Sequence, residues 1–262
     1  MQLSSVVPAK APIKLIPPLR NPVFVADIHL SDDKPETKKA FFKFLTHDAM
    51  RFNELVILGD LFEFWPGDDA IEMHKDVVDA LRQYVNSGKK LYLMHGNRDF
   101  LLGQDFELAT GGFLLEDPIV VKVGVEQVVL SHGDMWCSLD NQYHQFRSTL
   151  RDPEIQASIL KEKLEHRIDL ANSLRRQSQD DNMKKDSDVM DVVIHDVGKT
   201  LKNLGVNTVI HGHTHKPSHH THVYDDYRFD RWVLPDWDMD NGNNRGGYIS
   251  FENGYIHFGH FD

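Results

Sequence analysis

Seven side chains have the types and spacings of a metal-binding centre. Asp27 and His29 lie two residues apart at the end of the apolar run PVFVADIH, and Asp60 follows Gly59 after LVIL. Asn97 opens Asn97-Arg98-Asp99 after LYLMHG, His132 stands in SHGD after VVL, and His213 and His215 stand in GHTH after VNTVI. An aspartate and a histidine together can grip one cation, and a carboxylate, with its two oxygens, can bridge two. Oxygen and nitrogen donors without thiolate favour Mn²⁺, Fe, Co²⁺ or Zn²⁺ over a soft-metal site. A bridging Asp60 implies ions ~3.5–4 Å apart, a spacing that acidifies a shared water and clamps both the attacking and the leaving oxygen of an in-line displacement. The chemistry is hydrolysis of a phosphoester or phosphoanhydride. Arg98 suits a phosphoryl group through its paired N–H donors.

Each residue alone has an ordinary explanation: Asp27 as a loop cap, His29 as a satisfied polar side chain. Five junctions of the same kind do not, because buried carboxylates and imidazoles cost stability unless paired or metal-bound. What must position them is a set of strands. The runs PVFVA (22–26), ELVILG (54–59) and KLYLMHG (90–96) alternate with helical patterns over 36–52 and 71–86, which is βαβ order. Open α/β sheets place their sites at the carboxyl ends of the strands, where these polar junctions fall. The period of a strand predicts that Asp27 and His29 point to one side.

The rhythm continues with a β-pair in IVVKVGVEQVVLSHGD and is then interrupted. Residues 138–204 read as a charged, mostly helical insertion, broken near Pro153 and around 178–187, between two strands that should be neighbours. That length far exceeds the usual loop of ~4–6 residues, and such insertions are usually functional. Strands resume at GVNTVIHGHTH, RWVLPDW, GGYISFE and GYIHFGHF. His211 precedes the last motif, and spacing alone leaves it open as a ligand. His219 and His220 read as exposed loop residues, and the tract HKPSHHTH also reads as a loose metal-binding segment.

The chain has 262 residues, 40% of them hydrophobic, enough for one large or two small domains with a buried core. Residues 1–20 carry four prolines and little periodicity and read as a flexible tail, with Lys10, Lys14 and Arg20 available for a weak surface contact. No run approaches the ~20 apolar residues of a membrane-spanning helix, and no signal-peptide pattern opens the chain, so a cytoplasmic location is the default expectation. The single cysteine, Cys137, excludes an internal disulfide and agrees with a reducing compartment. A formal charge of -11, from 29 basic and 40 acidic residues, argues against a non-specific grip on nucleic acid.

Taken in order, D-x-H, G-D, G-N-R-D, H-G-D and G-H-T-H resemble the calcineurin-like metallophosphoesterases. The resemblance implies an α/β (α+β) fold, a four-layer αββα sandwich over residues 21–262 with the helical insertion as a cap. It implies that Asp27, His29, Asp60 and His215 hold one metal, and that Asp60, Asn97, His132 and His213 hold the other. His211 falls outside that set. The flanking stretches GDLFEFWPGDD, HGNRDFLLG, SHGDMWCSLDNQYHQFR and IHGHTHKP, across 22–220, look like the UDP-2,3-diacylglucosamine diphosphatases of lipid A biosynthesis. That likeness implies two divalent ions, Mn²⁺ by preference, and water attack on the α-phosphorus of a lipid-linked nucleotide sugar. The products would be UMP and 2,3-diacylglucosamine 1-phosphate, formed by a peripheral protein on the cytoplasmic face of the inner membrane.

On the same resemblance, Asp60, Asn97, Arg98 and His132 carry catalysis, and Asn97, Arg98, Asp140, Ser178, Asn182, Lys185 and His213 contact substrate. The insertion is more charged than a cap for acyl chains should be, which keeps open a phosphodiesterase or phosphatase of soluble nucleotides or other phosphoesters. A non-catalytic scaffold would be expected to have lost ligands, and all seven are present. Ile155, Ile159, Leu164, Ile168, Leu170 and Leu174 could face the sheet or acyl chains. Lys163, Arg167, Arg175 and Arg176 could attract an anionic membrane or form a solvated, charge-paired face. The sequence carries no sign of oligomeric state.

Overall fold

The computed structural model describes residues 16–182, 191–242 and 244–261, with the backbone alone over 174–182. β1 (Pro22–Val25), β2 (Glu54–Leu58) and β3 (Lys90–Met94) are parallel neighbours whose apolar side chains are almost all buried. Near-continuous apolar runs are what a parallel sheet covered on both faces requires. Between them run α1 (Pro35–Thr46), opened by a proline at its first position, and α2 (Lys75–Asn86). α2 buries Val77, Val78, Leu81 and Tyr84, one face at helical spacing. α3 (Gln104–Thr110) leads to β4 (Phe113–Leu115), which extends the sheet beside β3.

A second sheet contains β5 (Ile119–Val123), β6 (Glu126–Ser131), β7 (Thr208–His211), β8 (Ser218–Tyr224) and β9 (Tyr227–Val233), in the order β5-β6-β7-β9-β8. The closing hairpin, β10 (Tyr248–Glu252) and β11 (Tyr255–Gly259), returns to the first sheet, whose order is β11-β10-β1-β2-β3-β4. Three apolar clusters define four layers. Val23, Leu55, Ile57 and Leu91 pack under α1 and α2, while Phe24, Val56, Val121, Leu130 and Ile210 fill the space between the sheets. Val129, Val209 and Phe229 pack against Val197 and Leu201 of α7 (Ile194–Leu204). This is the αββα sandwich expected from the motifs.

β6 and β7 pair in parallel, Val129 with Val209 and Ser131 with His211, although the helical segment separates them in sequence. α7 is a layer of the sandwich, so the helices standing outside it are α4 (Asn141–Leu150), α5 (Pro153–Lys161) and α6 (Leu164–Asn182). The Val193 amide donates to the Trp136 carbonyl at 2.8 Å, closing the base of this cap. α4 and α5 are capped at their amino ends by Asp140 and Asp152, whose carboxylates accept backbone N–H groups.

α6 ends at Asn182, inside the 178–187 window where the sequence suggests a break, and the rest of that window lies outside the described residues. Several expectations are corrected. The helix expected over 36–52 ends at Thr46, followed by a short 3-10 turn. Leu19 is buried and hydrogen-bonded to the backbone of Lys122 and Gly124, so the end of the segment read as a flexible tail is packed on the second sheet. His219 and His220 belong to β8, not to a loop, and His219 stacks on Trp232 at 3.9 Å between ring centroids. Arg167 points inward from α6, buried against the Pro66 carbonyl and the Asp69 carboxylate, which removes it from any basic surface. Lys163 stays exposed. Ile159 packs against the core, while Ile155 and Leu170 face out.

Candidate metal centre

All seven candidate ligands gather where β1, β2, β3, β6 and β7 end, but the strand pleat is not what aims them. Asp27, His29, Asp60, His213 and His215 have φ between 52° and 69°, the left-handed region, and account for five of the eight non-glycine residues so placed in the described chain. A strand's alternation therefore does not describe Asp27 and His29; the chain leaves β1 and curls back on itself there. Each such residue costs ~1–3 kcal/mol and persists only where its surroundings over-determine it. Here backbone hydrogen bonds do so: Ile28 and His29 both donate to the Asp60 carbonyl at 2.9 and 3.0 Å, and Trp237 donates to that of Asp27 at 3.0 Å.

Close approach requires glycine beside three of the ligands. A Cβ at Gly96 would lie 2.0 Å from Asp60 Oδ1, one at Gly59 2.6 Å from His132 Nδ1, and one at Gly212 2.4 Å from Asp27 Oδ2.

Within the centre, His29 Nε2 and His215 Nε2 approach to 3.4 Å. His215 Nε2 is 3.6 Å from Asp27 Oδ1. Asp60 Oδ2 lies between the two halves, 3.9 Å from His29 Nε2 and 3.8 Å from His132 Nε2. Asn97 Oδ1 lies between the other two imidazoles, 3.0 Å from His132 Nε2 and 3.1 Å from His213 Nδ1. Two groups have ligand atoms all within 4.8 Å of one another: Asp27, His29 and His215, and Asp27, Asp60 and His132. His211 turns instead toward Arg231, with Nε2 3.3 Å from the guanidinium.

The electrostatics are those of charge crowded in a dry place. Burial pushes the Asp60 carboxyl up to about 7, helped by Asp99 and Asp27 and opposed by His132. Burial opposes charge on His132 too, yet Asp60, Asp134 and Asp27 raise it to about 9. For Asp27, burial is outweighed by His215, His132 and His29, which hold the carboxyl well below its usual range. Burial and the neighbouring His132 lower His213 to about 3, and burial with His215 lowers His29. Asp27 Oδ1 and His29 Nδ1 are buried with no hydrogen-bond partner. Oxygen and nitrogen donors aimed at common points, with buried carboxylate capacity unspent, fit divalent cations.

Arg98 is half-buried, its amide donates to Asp60 Oδ1 at 2.9 Å, and its guanidinium forms no hydrogen bond or ion pair among the described residues. Asp140 is buried at the amino end of α4, where its carboxylate accepts the Tyr143 amide. Ser178 and Asn182 lie on the α6 backbone, and Lys185 lies outside the described residues. HKPSHHTH forms β8 and the turn before it, and contributes no metal-type cluster among the described residues beyond His215.

Other residues hold the centre without having announced themselves. Asp99 is wholly buried and accepts from the Gly96 amide at 2.8 Å and the Leu61 amide at 2.8 Å, tying the second junction to the third. Its position at the end of G-N-R-D was the one signal. Asp134, also buried, accepts from Tyr143 Oη at 3.0 Å and pairs with Arg147 at 2.8 Å. Arg151 Nη2 donates to the carbonyls of His95 and Gly96 at 3.2 and 3.0 Å, immediately before Asn97. Tyr143 and Arg147 on α4 and Arg151 at its C-cap are spaced by fours, so one face of the cap is docked on the centre. Glu63 and Asp236 approach His29 Nδ1 and His215 Nδ1, each at 3.6 Å.

The calcineurin-like phosphoesterase family profile matches residues 22–217, a span that includes all seven candidate ligands. The chain is similar to the UDP-2,3-diacylglucosamine hydrolase of Chromohalobacter salexigens, 44% identical over 216 residues, covering 82% of this chain and 88% of that protein. It is 43% identical over 219 residues to the UDP-2,3-diacylglucosamine hydrolase of Aromatoleum aromaticum, covering 83% and 89%. The protein of that name from Pseudomonas entomophila is 42% identical over 218 residues, covering 82% and 90%.

Proposed function

Since this chain belongs to the calcineurin-like phosphoesterases, in the family of UDP-2,3-diacylglucosamine hydrolases, we propose that it cleaves the pyrophosphate bond of UDP-2,3-diacylglucosamine. Water attack at the α-phosphorus gives UMP and 2,3-diacylglucosamine 1-phosphate, a step of lipid A biosynthesis. The observation that carries this reading is the convergence of four imidazoles, two carboxylates and the Asn97 amide oxygen around Asp60 Oδ2.

Asp27, His29, Asp60 and His215 would hold one divalent cation and Asp60, Asn97, His132 and His213 the other, with Asp60 shared. The pair, when bound, supplies an acidified water and Lewis-acid neutralisation of the phosphoryl oxygens. Mn²⁺ suits the mixed oxygen and imidazole set. Arg98 places an unpaired guanidinium beside the centre, ready to take the charge that develops on the phosphoryl oxygens. Its amide meanwhile fixes Asp60 Oδ1. His132 donates from Nδ1 to the Leu58 carbonyl, which leaves Nε2 for the centre and makes the residue a ligand rather than a general base. Asp140, Ser178, Asn182, Lys185 and His213 complete the proposed substrate contacts.

The cap supports a lipid-bearing substrate. Leu139, Phe146, Ile155, Leu160 and Leu170 all lie exposed on or beside α4–α6. Exposed apolar side chains on such an insertion are what a lipid-bearing substrate or a membrane surface would use. No described helix is long and apolar enough to cross a membrane; a peripheral position on the cytoplasmic face of the inner membrane is part of the proposal, and the exposed apolar side chains of the cap are what supports it.

The test is UMP release from UDP-2,3-diacylglucosamine with Mn²⁺, run beside bis-p-nitrophenyl phosphate. Turnover of the lipid-linked substrate should exceed that of the generic diester and vanish in Asp60→Ala. Equal or faster turnover of the generic diester would reassign the enzyme to soluble phosphoesters.

A further inference from the structure

We propose that Glu63 and Asp236 are positioning residues that back His29 and His215 and make the Asp27 half of the centre the tighter cation site. This rests on the dinuclear reading above. The two halves are built from the same residue types but supported differently. His29 and His215 turn Nε2 inward, toward each other and toward the carboxylates of Asp27 and Asp60. That orientation leaves each Nδ1 facing outward, where a carboxylate stands: Glu63 Oε2 at 3.6 Å from His29 and Asp236 Oδ2 at 3.6 Å from His215.

Each of those two oxygens also meets a cation, Glu63 Oε2 with Lys34 Nζ at 3.8 Å and Asp236 Oδ2 with Arg245 at 2.9 Å. The order cation, carboxylate, imidazole, centre thus occurs twice, and the two instances come from unrelated loops.

In the other half the Nδ1 contacts are neutral, and the buried carboxylate nearby, Asp134, is engaged by Arg147 and Tyr143. His132 Nδ1 meets the Leu58 carbonyl at 2.9 Å, and His213 turns Nδ1 itself inward, to Asn97 Oδ1. Its fourth donor is an amide where the first half has the carboxylate of Asp27. A carboxylate behind a ligating imidazole fixes the tautomer with hydrogen on the outer nitrogen and raises the basicity of the inner one; losing it typically weakens metal affinity about 10–100-fold. At 3.6 Å the contacts are ion pairs in length, and a shift of under ~1 Å brings them to hydrogen-bond distance. His29 Nδ1 has the greater need, being buried with no hydrogen-bond partner.

Both the extra formal charge and the charged backing therefore favour the half containing Asp27, His29 and His215. Cation uptake by the metal-free protein becomes sequential, this half filling first.

The experiment is a calorimetric Mn²⁺ titration of the metal-free full-length chain and of the variants Glu63→Gln and Asp236→Asn. The unsubstituted protein should show two classes of site. Each variant should weaken the tighter class by roughly tenfold or more and leave the weaker class within about threefold. In the Zn²⁺-loaded protein, the Nδ1–H proton resonance of His29 should lie far downfield and move upfield in Glu63→Gln, a change that altered packing elsewhere would not cause. Because the two carboxylates come from separate loops, a variant that fails to fold leaves the other to decide. Parallel weakening of both classes, or an unchanged titration in the folded variants, would overturn the proposal. Uptake of fewer than two cations by the unsubstituted protein would instead overturn the dinuclear reading, and this assignment with it.

Discussion

Replacing Gly96 with alanine adds one methyl group at the point where the second and third junctions meet. Gly96 has an ordinary φ, so alanine is not excluded by its backbone; space alone forbids it. The new Cβ would lie 2.0 Å from Asp60 Oδ1 and 2.3 Å from the Asp60 amide nitrogen, where ordinary contact begins at 3.4 Å. One of those neighbours is backbone, so the loop carrying Asp60 must retreat by about 1 Å. Overpacking of this kind costs ~1–3 kcal/mol. The retreat also breaks the 2.9 Å hydrogen bond from the Arg98 amide to the Asp60 carboxylate, worth ~1.5–3 kcal/mol for a charged acceptor. Alanine returns ~0.4–1 kcal/mol by restricting the unfolded chain.

The net loss is about 3–4 kcal/mol, which at roughly 2–4 °C per kcal/mol for a chain of this size lowers Tm by about 10 °C. A misplacement of ~1 Å at the reacting centre costs on the order of 100-fold in rate, and Mn²⁺ affinity should fall with it. Gly88→Ala is the control. Gly88 has φ +90° with nothing within 4 Å of an added Cβ, so alanine there incurs backbone strain of ~1–2 kcal/mol and leaves Mn²⁺ binding and turnover unchanged. Thermal unfolding by circular dichroism, Mn²⁺ calorimetry and UMP release measure the three effects. A Gly96→Ala protein with Tm within ~2 °C of the parent and unaltered Mn²⁺ affinity would refute the reasoning, because Asp60 would then not be held by that contact.

Cation uptake should release protons. In the metal-free protein Asp60, raised to about 7 chiefly by burial, and His132, raised to about 9 by its carboxylate neighbours against burial, hold protons that a cation must displace. Apparent Mn²⁺ affinity therefore falls as pH drops through about 9 and again through about 7. Calorimetry in buffers of different ionisation enthalpy should find about 1.5 protons released per protein near pH 7, and zero release would contradict the assignment. Arg151→Met removes both hydrogen bonds to the His95 and Gly96 carbonyls. It should cost ~1–3 kcal/mol in urea unfolding and lower kcat while leaving Mn²⁺ stoichiometry intact; unchanged kcat in a destabilised protein would limit Arg151 to a structural role.

The metal centre was legible because its residues sit in five short motifs, each at the end of an apolar run, and local patterns survive in a sequence. Its supports were not. Asp99 reaches back across nearly forty residues to the Leu61 amide, and Asp236 meets His215 from a loop beyond β9. No periodicity connects such partners. The left-handed backbone of Asp27 and His29 escaped notice because neither is glycine, and the residue types that a strained turn tolerates are set by the hydrogen bonds around it. Arg167 misled in the opposite direction: a basic residue on a polar helix reads as solvated until Asp69 and the Pro66 carbonyl are seen beneath it. β8 was missed because this edge strand is built largely of histidine and threonine, with most of its side chains exposed, and shows no apolar alternation.

The hydrogen bond from Val193 to Trp136 makes the cap an exchangeable cassette. Its two ends meet at one point on the sandwich, so lengthening the segment between them, with its docked contacts kept, adds little beyond loop-closure entropy, ~0.6 kcal/mol for each doubling of length. Selection can therefore rework the cap while the strands that carry the candidate ligands stay as they are. One constraint travels with every exchange. Arg147 and Tyr143 are supplied by the cassette and meet the buried carboxylate of Asp134 on the sandwich side. A transplanted cap that lacked a cation at that place would leave the carboxylate uncompensated beside His132, so graft compatibility should be screened first at α4.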